Sequence, residues 1–297
     1  MQTLLFYLTY PIIWLASILP MPILYLISDI FYVLIYYVFG YRKKVVLNNL
    51  KLAFPNKSEV ELRKIRKKFY KHFTDIFIES VKGFTISEKE ILKRYTYKNP
   101  ELANRIIKNG KSVALVGAHI ANWEWSITLP KVLNITVFGA YTKLANKHYE
   151  KVVKASRSRF GVIGYKTSDI IKQMSNNKKN NIQGLYILLS DQSPQVHKTH
   201  YWADFFGNRV PIHTGAEMLA KKFDFSVINY TTRKIKRGYY ETEFSLITEN
   251  AKEFKNYQIT DMYLQITEEA IKTNPENYLW SHKRFKHMGK EPKKEAK

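Results

Sequence analysis

The chain has 297 residues, with 48 Lys and Arg against 25 Asp and Glu, a net charge of +23, and 45% hydrophobic residues. That composition excludes intrinsic disorder as the main state, and the length suits one large domain or two small ones. With no Cys, disulfide scaffolds, Cys zinc sites and Cys nucleophiles are excluded. So basic a surface favours polyanionic partners: nucleic acid, anionic lipid, a phosphorylated substrate or an acidic carrier protein.

In residues 1–40 the only charged side chain is Asp29, and Arg42, Lys43 and Lys44 then arrive together. Two apolar stretches, 4–19 and 23–39, flank Pro20-Met21-Pro22. Each reaches about 25 Å as a helix, short of the about 20 residues a full span needs. The expectation is a membrane anchor, as one tilted span with an interfacial piece or as a re-entrant pair. A buried core helix is the alternative. The start Met1-Gln2-Thr3 lacks a basic n-region, so no cleaved signal peptide is expected. The basic cluster after the anchor belongs on the cytoplasmic side under the positive-inside rule.

Beyond the anchor, Ser58 with Glu61 reads as a capping box opening a helix over 58–82. A second helix is expected from Pro100 to Gly110. Strands are expected at 113–117, 135–141, 185–190, 226–232 and 239–248, the last two as an antiparallel hairpin around Arg237-Gly238. The polar run 172–181 reads as a surface loop. The fold class is α/β: a single domain with a largely parallel, mixed central sheet flanked by helices. The expected divisions are 1–40 as membrane anchor, 41–289 as catalytic domain and 290–297 as a disordered basic tail.

Chemistry concentrates in Gly117-Ala118-His119-Ile120-Ala121-Asn122-Trp123-Glu124-Trp125, at the end of the first strand. The carboxyl edge of a parallel sheet is where α/β folds place reactive groups. On one continuous helix, residues five apart are turned by about 140°. His119 and Glu124 therefore meet only if His119 lies in the turn and Glu124 in the first helical turn after it. In that arrangement Glu124 orients the imidazole and supports its cation.

This nonapeptide resembles the His-x4-Asp/Glu motif of the lysophospholipid acyltransferase superfamily, and more closely the form found in bacterial lipid A biosynthesis acyltransferases. Ala121 departs from the usual Gly. Further segments resemble the same family: Tyr41 to Leu50 with Ala53-Phe54-Pro55, then Tyr141-x-Lys143-x-x-Asn146, Arg157-x-Arg159-x-x-Gly161 and Asp191-Gln192. The resemblance continues through Phe205-Phe206-Gly207, Pro211-x-x-Thr214-Gly215, Asn274-Pro275-Glu276 and Trp280-x-His282-x-Arg284-Phe285-Lys286.

It implies acyl transfer from a thioester to a hydroxyl, with His119 as general base and Glu124 as its catalytic partner. Substrate-binding roles are implied for Asn122, Arg157, Arg159, Asp191, Gln192 and Arg284. Backbone amides after His119, with Arg157 or Arg159, are expected to hold the oxyanion. The implied donor is acyl carrier protein and the acceptor a membrane lipid, at an anionic bacterial inner-membrane surface with the catalytic domain facing the cytoplasm. A catalytically silent lipid-binding homologue is the alternative.

No cofactor, metal or nucleic acid is expected. Gly110-Lys111-Ser112 lacks the first Gly of a phosphate loop. His197-x-x-His200 has no carboxylate at zinc spacing. The 21 Tyr are dispersed and form no nucleic-acid-binding motif.

Overall fold

The computed structural model describes residues 2–292. The N-terminal region forms two helices, α1 (Gln2–Ile18) and α2 (Met21–Val33), the second continuing as a π-helical turn over Leu34–Val38. Next come α3 (Lys43–Ala53) and α4 (Glu59–Lys82). The α4 helix starts at the expected capping box: Ser58 Oγ accepts from the Glu61 amide at 3.3 Å, and the Glu61 carboxylate accepts from the Ser58 amide at 2.8 Å.

The chain then alternates: α5 (Glu88–Arg94), β1 (Tyr95–Tyr97), α6 (Pro100–Lys108), β2 (Val113–Gly117), a 3-10 helix over Trp123–Lys131, β3 (Thr136–Tyr141) and α7 (Lys147–Ser158). It continues with β4 (Ile163–Lys166), α8 (Ile170–Lys179), β5 (Gly184–Leu189), β6 (Tyr201–Phe205), β7 (Asn208–Ile212) and α9 (Gly215–Phe223). The last elements are β8 (Ser226–Lys236), β9 (Tyr239–Thr248) and α10 (Gln258–Thr273).

Seven strands form one sheet in the order β1-β9-β8-β2-β5-β3-β4, and β6 pairs with β7 separately. Every pairing in the large sheet is parallel except the β8–β9 hairpin. The central strand β2 is buried along its whole length. Its alternate residues feed two cores: Ala114 and Val116 belong to one with Phe69, Leu219 and Tyr263, while Val113 and Leu115 belong to the other with Ile106, Val137 and Ile228. Met21, Leu24, Tyr32 and Tyr36 of the N-terminal helices belong to the first of these cores.

Several expectations are corrected. The run 172–181 is mostly helix, because Met174 and Asn177 turn inward and Asn177 Nδ2 reaches the Tyr186 hydroxyl at 2.8 Å. The hairpin β6–β7 carried no Asn-Gly signal; its turn is Phe206-Gly207, with φ of 51° and 68°. In the expected tail, Glu291 pairs with Arg209 at 2.9 Å, and residues 293–297 lie outside the described residues.

Candidate active site

Strands β2 and β5 are parallel neighbours, with Gly117 opposite Leu189. His119 and Asp191 each stand two residues beyond these paired ends. The register thus delivers both side chains to the carboxyl edge of the sheet at one level. His119 Nδ1 lies 2.7 Å from Asp191 Oδ1, and the two side chains are only 16% and 1% exposed. The Nδ1–H donates to the carboxylate, which leaves the Nε2 lone pair on the cavity side, where the Gln192 amide nitrogen stands 3.4 Å away.

Burial alone would push the His119 imidazole down, but the charge and hydrogen bond of Asp191, helped by Glu124, outweigh it and raise His119 above its ordinary value. Burial likewise pushes the Asp191 carboxyl up, and His119 overrides it and holds Asp191 below the usual range. The two shifts describe one stabilised imidazolium–carboxylate pair.

The spacing-based partner of His119 is therefore corrected. Glu124 is bound by Arg157, whose Nη2 donates to Oε1 at 2.6 Å and whose Nε donates to Oε2 at 3.1 Å. Glu124 acts on His119 only as a nearby charge. Both members of the Glu124–Arg157 pair line the same cavity as His119.

The turn carrying His119 is held by the C-terminal segment. Ala121 N donates to Asn277 O at 2.9 Å, Leu279 N donates to His119 O at 3.1 Å, and Ile120 bridges to Tyr278. Ala121 adopts φ 52°, the left-handed region that glycine enters without steric cost. Ile120 N donates to Ala118 O, so the two amides after His119 are both engaged and do not form an oxyanion hole. Arg157 Nη1 makes no hydrogen bond among the described residues and remains available at the cavity.

Three further residues expected at the substrate do not line the cavity. Asn122 is buried as the cap of the 3-10 helix, accepting from the Trp125 amide at 3.1 Å and donating to Glu79 Oε2 at 2.7 Å. Arg159 donates to the carbonyls of Gly83 and Ile86 at 2.7 and 2.9 Å. Arg284 is 1% exposed, lies over the Phe205 ring and donates to Pro211 O. Arg284 Nε and Nη2 are buried without a hydrogen-bond partner among the described residues.

Sequence reasoning missed Glu79. It lies on α4, fully buried, and accepts from Tyr25 Oη at 2.8 Å, Tyr240 Oη at 2.7 Å and Asn122 Nδ2. Burial pushes its carboxyl up to about 7 against the pull of the Tyr240 hydrogen bond. A signal existed: Phe69, His72, Ile76 and Glu79 recur at helical spacing, so an acid sits on the inward stripe.

The cavity has a volume of about 660 Å³ and runs from His119 and Gln192 between α7 and the sheet. Its lining includes Ile127, Val153, Ile187 and Leu189, and also Gly139 and Gly164, which pair across β3 and β4. A Cβ on Gly164 would meet the Tyr141 ring at 3.6 Å and the flexible Lys154 side chain at 3.9 Å, both ordinary contacts. No backbone or packing demand explains this glycine; it leaves room. A buried imidazole beside a cavity lined by both apolar and charged side chains has the chemistry for proton removal next to a bound hydrocarbon chain.

No curated protein sequence matches the chain. The family described as bacterial lipid A biosynthesis acyltransferase matches residues 1–287, which spans every element described above. The chain belongs to the bacterial lipid A biosynthesis acyltransferase family.

Proposed function

We propose that this protein is a membrane-bound O-acyltransferase that moves a fatty acyl chain from acyl carrier protein to a hydroxyl of a lipid A precursor or a related bacterial membrane lipid. Its place is the inner membrane, with the catalytic domain facing the cytoplasm. The observation that carries this reading is His119, held at Nδ1 by buried Asp191, with Nε2 beside the Gln192 amide in a cavity with many apolar lining residues. His119 Nε2 takes the acceptor proton, and the alkoxide attacks the thioester carbonyl. Arg157 Nη1 supports the oxyanion. Collapse expels the carrier's thiolate, which recovers the proton from the imidazolium.

His119→Asn keeps a donor toward Asp191 while removing the Nε2 base. With acyl carrier protein as donor and lipid acceptor in detergent, this variant should lose about 10²–10⁴ in kcat, with its thermal unfolding little changed. Undiminished transfer would sink the mechanism. The exposed cations of α4, among them Lys64, Lys67 and Lys68, suit an acidic carrier. KM for the carrier should therefore rise with salt while kcat stays level; salt-independent use of acyl-CoA and acyl carrier protein alike would assign those cations to the membrane alone.

The part of the cavity lined by Gly139 and Gly164 sets the acyl chain. Gly164→Leu should leave short donors active and discriminate against long ones, each excluded methylene costing about 0.8 kcal/mol, about fourfold in kcat/KM. Competition between donors of different length measures this directly. An unchanged length preference would place the chain elsewhere.

A further inference from the structure

The N-terminal helices are tied to the catalytic domain along their whole length. At the start of α1, Gln2 O accepts from Asn146 Nδ2 at 3.0 Å, Phe6 stacks on His148 at 5.1 Å, and Thr9 bonds the Tyr149 hydroxyl. At its end, Lys82 Nζ caps the carbonyls of Ser17 and Leu19 at 2.9 and 3.0 Å. Along α2, Tyr25 donates to Glu79, Ser28 Oγ donates to Asp75 at 2.8 Å, and Arg237 donates to Asp29 at 2.7 Å while also binding Asp75. Beyond α2, Arg66 Nη2 donates to the Tyr36 hydroxyl at 3.3 Å.

These partners come from α4, α7 and the β8–β9 turn, so ionised groups accompany the apolar helices through successive turns. If α2 crossed a bilayer, Asp75, Arg237 and Lys234, whose Nζ lies 3.3 Å from Asp75 Oδ2, would enter hydrocarbon with it, or the bonds would be shed. Ionised groups at that depth are costly. The packing argues for helices that lie on the domain.

Their outward faces are largely apolar, interrupted on α2 by Asp29, whose side chain is 49% exposed. Leu8, Ile12 and Leu15 of α1 and Leu26, Ile30 and Val33 of α2 are between 48% and 67% exposed and recur every three or four residues. An extended apolar surface of this kind marks a contact with lipid or protein. The border chooses between them: Lys43 Nζ lies 4.4 Å over the Tyr36 ring and Lys71 Nζ 5.5 Å over the Tyr32 ring. Lysines bordering an apolar face, each over a buried tyrosine ring, suit anionic headgroup depth.

We propose that α1 and α2 form a flat docking face that enters one leaflet of an anionic bilayer, with no segment crossing it. The proposal rests on the membrane association inferred above. It also places the cavity beside the lipid plane, because α1 packs on α7, whose Val153, Lys154 and Arg157 wall the cavity. A lipid acceptor then reaches His119 sideways from the leaflet.

The chain has no Cys, so single-cysteine variants of the full chain report position cleanly. In sealed inverted membrane vesicles, Pro20→Cys at the turn between the helices should react with an impermeant maleimide to the same extent before and after permeabilisation. With vesicles of phosphatidylethanolamine and phosphatidylglycerol, bimane on Leu8→Cys and Leu26→Cys should be quenched by bromines near the headgroup more than by bromines at the chain ends. Labelling of Pro20→Cys that requires permeabilisation, or deepest quenching at the bilayer centre, would overturn the flat arrangement alone. Failure of the unmodified protein to sediment with either vesicle would overturn membrane association itself.

Discussion

Asp191→Asn is expected to lower kcat by about 10²–10⁴, the range for disabling a positioned base, although Asp191 is 72 positions away from His119 in the chain. The amide neither stabilises the imidazolium nor fixes the tautomer that leaves Nε2 free. The pH profile carries the sharper signature. A general base works when neutral, so activity falls as pH drops through the His119 value, which lies above the ordinary 6.5. In Asp191→Asn the raising charge is gone and burial remains, so the acid limb moves to lower pH while the plateau falls. Glu124→Gln moves the limb in the same direction but less, because Glu124 acts without a hydrogen bond to the ring. Profiles of kcat/KM for the three proteins decide the point. A larger displacement in Glu124→Gln than in Asp191→Asn would restore Glu124 as the partner of His119.

The contrast between those two acids shows what a linear reading reaches. His119 was legible because its neighbours spell a local motif at a strand end. Its partner was not, because the pair is made by register: Gly117 opposite Leu189 brings residues 119 and 191 together, and only the paired sheet contains that fact. Spacing offered Glu124 in its place, five residues on, and the fold gave that acid to Arg157. The same division runs through the architecture. Strand β2 and helix α4 announce themselves by an apolar run and a capping box, both local features. Strand β4 pairs only with β3 at the sheet edge and buries just Tyr165 fully, so no alternation marks it. Helix α8 hides among Lys and Asn because only Met174 and Asn177 are buried. Arg284 and Asn122 stand within the family-like motifs, yet the structure uses both to hold backbone; a motif marks residues the fold needs as well as those the reaction touches.

Glu79→Ala should be among the most damaging substitutions away from the cavity. It leaves the donors of Tyr25, Tyr240 and Asn122 without their buried acceptor. An unsatisfied buried donor costs about 1–3 kcal/mol, so a loss of roughly 3 kcal/mol or more is expected from the three. Activity should fall as well, since Asn122 caps the 3-10 helix directly after the His119 turn. Glu79→Gln behaves differently. Its carbonyl can take the place of Oε2 between Tyr240 and Asn122, and its amide can donate to the Tyr25 hydroxyl, which turns to accept. The buried carboxyl is pushed up from 4.5 to about 7, so the folded state holds the proton more tightly than the unfolded chain. This group's contribution to stability is therefore greatest below the unfolded value and declines as pH rises through about 7. Glu79→Gln removes that decline, and its melting temperature should gain on the unmodified protein steadily across this window. Thermal unfolding of both proteins in detergent at pH 5, 6, 7 and 8 tests the sign. A gap that stays constant with pH would mean that Glu79 is ionised throughout, and that the network around it is built on a charge.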